Sequence, residues 1–519
     1  MMTTGATAPA PEPFPRPASI TVNVIANFGG QAIASLVSFV CIPIVLRLLG
    51  AETVGLIGYS VALQALLRVV DMGFSAAVVR QMARLGHQPR HRDELAEFHL
   101  TFERLFFGAG LVVAVLTVTL SPLIAGRWLH GEQLGHRQVA LAAAAIGAQC
   151  AVLFVASLYH GTLMGLERQL RFNVIRAAEI CASQVGGILV LTLWLKRVEV
   201  LFGWQLAVSL IALAVYARAA HRALSTGGTA RFRLAQVRSV WPFAAGMAGI
   251  TATGTLLANM DKVLLSRWLK LAGFGYYTLA FFASSLLSSL LVAPVFNAMF
   301  PRHCSLVERG DEAGERRLYH LSVQFLVVAV WPVAAILWAY ARYVLQLWVR
   351  EPAAVAAAER VLPFLVAGVA FNTLMVPAYM IQLAHAWTSL GVKLNVALLL
   401  LFGPLLYFMT IRWGGRGAAL NFALMQGSYL MVGLPLTHRR LLRAAFGEVV
   451  WRDMLPGVAL CSLAAVGLAA SRDTLAAAPT VARCAIMFGI WAILAAGTAL
   501  VSARVRRMTL EAVAGGGTC

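Results

Sequence analysis

Long apolar runs recur along the whole chain, interrupted only by short polar connections. A run of roughly 20 such residues crosses a bilayer as a helix, because hydrocarbon offers the backbone no other hydrogen-bond partner. Of the 519 residues, 60% are hydrophobic and 12% charged, with a mean hydropathy of +0.77. A soluble domain carries about 25% charged residues. The fold class is therefore an all-α polytopic membrane protein. Fourteen spans are expected, at about 20–48, 54–80, 99–123, 138–163, 172–195, 200–220, 239–268, 273–300, 318–341, 359–385, 388–411, 417–437, 454–470 and 480–502.

Residues 1–19 are rich in Pro, Ala and Thr and read as a disordered tail, and 504–519 as a second tail. Between them the sequence repeats itself. Arg47-Leu48-Leu49 is echoed by Arg267-Trp268-Leu269, and Gly55 by Gly275, at a shift of 220. Asn173-Val174 is echoed by Asn395-Val396 at a shift of 222. Residues 20–222 and 239–440 thus read as two six-helix lobes in the same orientation, related about an axis along the membrane normal. Residues 451–503 add two helices outside the repeat.

Orientation follows from basic residues in the connections. Counted along the chain, 23 Lys and Arg fall in the first tail and every second connection, against 13 on the opposite side. Both termini are expected in the cytoplasm. Basic connections such as the one from Arg231 suit anionic membrane lipids rather than nucleic acid.

Three spans carry polar stripes at helical spacing. The first has Asn23, Asn27, Gln31, Ser35 and Ser38; the second has Ser60, Gln64, Arg68, Asp71 and Ser75; the seventh has Thr251, Thr255, Asn259, Lys262 and Ser266. For Ser and Thr such a stripe is mostly interhelical hydrogen bonding. A cation is different, since it is expensive inside a bilayer unless it faces a partner or a water-filled cavity. Arg68, Asn259 and Lys262 are accordingly expected in a cavity. Arg68 lies roughly 21 Å along its helix, in the cytoplasmic half. Arg104, Arg176 and Lys393 enter from the same side and could line the same vestibule or snorkel. Asp71 and Glu179 sit three residues from Arg68 and Arg176, close enough for local pairs; with Asp261 they are the candidate charge-pairing or ion-coupling carboxylates. Arg47 and Arg267 read as structural anchors.

No catalytic machinery is legible. There is no phosphate-binding glycine loop, no HExxH and no carboxylate pair placed for acid–base work. The seven cysteines are scattered, without a disulfide or metal spacing. His160 and His385 read as packing or surface residues. No catalytic residue, metal ligand or cofactor is expected.

In the stretches IPIVLRLLGAETVGLIGYS, VVDMGFSAAVVRQMA, YHGTLMGLERQLRFNVI, and NMDKVLLSRWL with GFGYYTLA, the chain resembles the Wzx-type O-antigen and exopolysaccharide repeat-unit flippases of the multidrug/oligosaccharidyl-lipid/polysaccharide exporter superfamily. Lys270 and Ala384-His385-Ala386 depart from the glycine-bearing turns of that pattern. The resemblance implies two MATE-like lobes around a cation-lined cavity, alternating access, and no enzymatic step. It implies a glycan on undecaprenyl pyrophosphate as substrate, moved to the periplasmic leaflet of a bacterial inner membrane. A polysaccharide polymerase and a chain-length regulator are the partners it implies. Two neighbouring readings are a lipid-linked peptidoglycan-precursor flippase and a multidrug antiporter. Acids would dominate the cavity of the latter, whereas cations outnumber acids in these spans.

Overall fold

The computed structural model describes residues 20–71, 73–85, 92–224, 232–442, 446–472, 475 and 478–506. The expected tails at 1–19 and 507–519 lie outside the described residues, as do the side chains of Asn23 and Asn27. Everything described is helical or connecting. The helices are α1 (Ile20–Leu49), α2 (Ala51–Val70), α3 (Phe74–Leu85), α4 (Arg92–Arg127), α5 (His136–Gly165), α6 (Gln169–Leu193), α7 (Val198–Leu224) and α8 (Leu234–Trp268). They continue with α9 (Leu271–Leu286), a π turn at Leu287–Val292, α10 (Ala293–Glu308), α11 (Glu312–Ala339), the short α12 (Ala341–Trp348) and α13 (Pro352–Ala358), and α14 (Leu362–Ala384). α15 (Thr388–Leu441), α16 (Leu455–Ala470, preceded by a second π turn) and α17 (Thr480–Val501) complete the chain.

Twelve described helices are long and apolar enough to cross a membrane, or 13 with the bent α8 counted as one crossing. The expected fourteen further requires α15 to be two spans. At 54 residues it would measure about 80 Å if straight, more than twice a bilayer core. It is not straight: Gly414 has φ +56°, and a Cβ on Gly417 would run into the carbonyl of Met409. The chain reverses there, between the expected eleventh and twelfth spans.

One expected span is broken. Residues 54–80 form α2 and α3, separated at Asp71–Gly73. Gly73 takes φ +74°, open to a residue without Cβ. The Asp71 carboxylate accepts the Ser75 amide at 3.2 Å and its hydroxyl at 2.7 Å, capping the new helix. α8 is bent by 64° between Leu234–Pro242 and Met247–Trp268, where Pro242 removes an amide. Gly73 approaches the carbonyl of Ala244 at that bend.

α4, α5, α6 and α7 pack together with α1 against α6; α11, α14 and α15 pack together with α8 against α15. The two groups meet where α2 lies along α9. The glycines of the repeat make that contact. A Cβ on Gly55 would overlap the carbonyl oxygen of Leu271, and one on Gly275 that of Ala51. Residues 51 and 271, like 55 and 275, differ by the 220 of the sequence repeat. The contact is therefore reciprocal, as two-fold pseudosymmetry requires.

The same end is tied by polar contacts. Glu52, 2% exposed, accepts the amides of Glu132, Gln133 and Leu134 at 2.6, 2.9 and 2.8 Å. Arg47 donates to the carbonyl of Val349 at 3.2 Å, and Trp348 to that of Phe39 at 2.8 Å. Arg267 meets His130 at 3.3 Å, so both arginines act as the expected anchors. Lys270, on the surface, pairs with Glu132 at 2.6 Å, which raises the pKa of its ammonium. α16 and α17 are pinned to α11 through Asp453: its carboxylate meets His320 and accepts Gln324 at 2.5 Å, while Gln324 accepts the Arg504 amide at 2.9 Å.

Gly275→Val forces a β-branched side chain into backbone and is expected to cost about 1–3 kcal/mol. Thermal unfolding of the purified variant checks this; an unchanged midpoint would mean that α2 and α9 are not in close contact.

Candidate functional site

Two cavities lie beyond the α2–α9 seam. The larger, about 700 Å³, is lined from α1 by Gln31, Ser35 and Ser38, and from α2 and α3 by Gln64, Arg68, Asp71 and Ser75. α5 adds Gln149, Ser157 and His160; α6 adds Arg176, Glu179 and Ser183; α8 and α9 add Thr251 and Ser285. It holds two guanidiniums and two carboxylates. The carboxylates are engaged elsewhere: Asp71 caps α3, and Glu179 accepts the Tyr216 hydroxyl at 3.1 Å. Neither Arg68 nor Arg176 forms an ion pair or hydrogen bond with any described residue. The local pairs Arg68–Asp71 and Arg176–Glu179, the alternative to a cavity role, do not close as salt bridges, although Arg176 still acts on Glu179 through its charge. The reason in the first case is the helix break, which turns Asp71 toward Ser75. Both arginines are solvent-exposed within the cavity, where hydration lowers the cost that lipid would impose.

The smaller cavity, about 430 Å³, lies among α8, the first π turn, α10, α14 and α15. Among the described residues lining it none is charged. Asn297, Asn372, Asn395 and Gln426 bring amides, and Tyr379, Trp387 and Tyr429 bring aromatic faces. The π turn separates the two cavities: Ser288 faces the smaller and Ser289 the larger. Turns of this kind concentrate at functional sites.

Five expected residues line neither cavity. Lys262, 3% exposed, pairs with Asp261 at 3.1 Å and sits 3.7 Å from the centre of the Phe281 ring. Asp261 also accepts the Tyr277 hydroxyl at 2.5 Å. This is a closed buried network rather than a cavity cation, because the adjacent carboxylate supplies the charge that a cavity would otherwise supply. Asn259 donates to the carbonyl of Thr255 at 3.0 Å, within its own helix. Arg104 and Lys393 are exposed and line neither cavity, as the snorkelling alternative requires.

His160, expected to be a packing or surface residue, lines the larger cavity; its ring packs 4.4 Å from that of Tyr216, with Nε2 buried and without a hydrogen bond among the described residues. Gln149 and Gln426 are single amides without a stripe and were not among the expected residues. On α6, Ser183 extends the spacing of the expected Arg176 and Glu179 and could have been added to them. His385 is held by Glu315 at 2.9 Å, a structural role. Ser266 accepts the Trp128 indole at 3.0 Å, the interhelical bonding expected of such residues.

The family model described as "Polysaccharide biosynthesis protein" matches residues 20–307. A Shigella flexneri protein named "Putative O-antigen transporter" is 23% identical over 414 residues, covering 78% of this chain and 94% of that one. Among solved structures, the lipid II flippase MurJ in an inward closed conformation superposes with a TM-score of 0.68 at 11% identity, covering 91% of this chain and 98% of that one. An inward-facing multidrug resistance MATE family transporter of the MOP superfamily gives 0.65 at 13% identity, covering 82% and 99%. At these identities the structural likeness establishes the MATE/MurJ-like fold.

Lys262→Met strips a buried carboxylate of its cation and is expected to destabilise by roughly 3–5 kcal/mol. Pairing it with Asp261→Asn should restore most of the loss, read as thermal midpoint and detergent-solubilised yield. If the single variant folds normally, the pair is not buried as described. For Asp71, Asp71→Asn keeps a capping acceptor, whereas Asp71→Ala should cost about 1 kcal/mol; equal stability of the two would remove the capping role.

Proposed function

The chain belongs to the polysaccharide biosynthesis protein family, a membrane transporter family, and from that premise we propose that it flips a lipid-linked oligosaccharide across the bacterial inner membrane by alternating access. The observation that carries this reading is the pair of exposed guanidiniums, Arg68 and Arg176, lining the larger cavity without a hydrogen bond or salt bridge to a described residue. A pyrophosphate on a polyprenyl carrier is the ligand they suit: it brings localised negative charge that cannot enter hydrocarbon alone, and guanidinium forks bind phosphate oxygens bidentately. The neutral cavity beside it suits the sugars, whose hydroxyls bond to amides and whose C–H faces lie on aromatic rings. No bond need be made or broken.

Residues 20–222 and 239–440 are the two lobes that rock in this mechanism, and 451–503 a pair of helices carried by the second. The seam of Gly55 and Gly275 closes the end opposite the cavities. With both termini in the cytoplasm, as the 23 to 13 bias of basic residues indicates, Arg68 lies in the cytoplasmic half of its span, on the side from which the substrate is loaded. Glu179 is the cavity carboxylate placed to take up a proton if the cycle is ion-coupled; Asp71 and Asp261 serve structure. Undecaprenyl pyrophosphate is the carrier, O-antigen or exopolysaccharide repeat units the cargo, and a polysaccharide polymerase with its chain-length regulator the consumers. The cations of the cavity speak against an exporter of cationic drugs.

Arg68→Ala and Arg176→Ala are each expected to abolish surface polysaccharide at normal protein level, with lipid-linked repeat units accumulating on the cytoplasmic side. Arg68→Lys should retain part of the activity, since charge remains but the fork is lost. Export unaffected by either alanine variant would overturn the pyrophosphate assignment. Flipping of a lipid-linked peptidoglycan precursor, but not of a repeat-unit glycolipid, by reconstituted protein would move the substrate to the other class.

A further inference from the structure

Away from both cavities, near the end where α4 begins and α7 finishes, His99, Glu103 and His221 come together. His99 and Glu103 are four residues apart and share one face of α4, while His221 reaches them from the last turn of α7. One ligand-capable atom from each lies within 4.8 Å of the other two. We propose that these three side chains bind a divalent transition-metal ion of the zinc class, clamping α4 to α7.

The strongest support is the state of His99. It is 2% exposed, and its Nε2 is buried with no hydrogen-bond partner. Its Nδ1 lies 3.2 Å from the Thr162 hydroxyl, which donates its own proton to the carbonyl of Leu158 at 2.9 Å. Thr162 can therefore only accept from His99, so Nδ1 carries the hydrogen and Nε2 presents a bare lone pair. Leaving such a nitrogen unpaired in the interior is costly. A second-layer bond of this kind, on the ring nitrogen away from the metal, is what fixes the tautomer and orientation of liganding histidines.

Glu103 is oriented in the same manner. Its Oε1 accepts the Tyr159 hydroxyl at 2.5 Å and also meets His221 Nε2 at 3.0 Å, which leaves Oε2 for an ion. The side chain of His221 is 46% exposed and that of Glu103 17%, so an ion can enter from solvent and a fourth position stays open to water. Two imidazoles and one carboxylate form a donor set of intermediate softness, suited to Zn²⁺ or Co²⁺ rather than to Mg²⁺ or Ca²⁺. Ligands around Zn²⁺ at about 2.0–2.1 Å sit closer together than 4.8 Å, so metal binding draws the three side chains inward.

The test uses tag-free, full-length protein in detergent, stripped with chelator and titrated with Co²⁺. One Co²⁺ per chain is expected, with the intense visible d–d bands of a low-coordinate site, bleached by added Zn²⁺. His221→Ala, at a surface position that should not affect folding, is expected to abolish the bands. Thr162→Val, which keeps the ligands but frees Nδ1, should weaken Co²⁺ binding about tenfold. Zn²⁺ should raise the thermal midpoint of the parent and not that of His221→Ala. The proposal is overturned if the parent shows no such bands, or if His221→Ala retains them; an unchanged affinity in Thr162→Val would overturn the tautomer assignment.

Discussion

Hydrocarbon cannot hydrogen-bond, and most of this structure follows from that. Each polar group inside the bundle must find a protein partner or reach water. Glu52 does so with three amides, Asp261 with Lys262 and Tyr277, and Asp453 with His320 and Gln324. These networks fix helix ends and seams. Against that background Arg68 and Arg176 are conspicuous, because both are exposed in the cavity and neither forms a hydrogen bond or salt bridge with a described residue.

The two halves touch most closely where side chains are smallest. Gly55 and Gly275 let the α2 and α9 backbones meet, as small residues do between membrane helices. A contact built on backbone proximity is suited to parting and re-forming. The rest of the junction has irregular backbone: the break at Gly73, the bend of α8 beside it, and the π turn of Leu287–Val292. In a membrane such irregularity is tolerated where protein or a wet cavity re-satisfies the freed groups. All three border or approach the larger cavity, where a rocking motion would concentrate its backbone changes.

The cavities divide their chemistry by half. Charge gathers in the first half, on α2 and α6, and neutral amides with aromatic rings gather in the second. A repeated architecture has thus diverged in its lining while keeping the reciprocal contact of residues 51 and 271 with 275 and 55. That outcome is physically natural. The seam is constrained by backbone sterics in both halves, whereas a cavity wall changes its side chains without disturbing packing.

The sequence by itself determined the all-α membrane class, most of the long apolar helices and the 220-residue echo that recurs in the α2–α9 contact. These rest on long-range hydropathy and spacing, which survive without knowledge of neighbours. It also placed Arg68 and Arg176, since a cation on an apolar helix has few affordable surroundings. Tertiary structure decided the rest. A stripe locates a face but does not say whether that face meets water, lipid or another polar group: Lys262 carried the same signal as Arg68, and Asp261 beside it closed the site. The split of α2 from α3 turned on one glycine at positive φ and one capping aspartate, local chemistry that a 3.6-residue period cannot report. The smaller cavity was invisible because single polar residues from several elements have no spacing in common; only the packed bundle brings them to one wall.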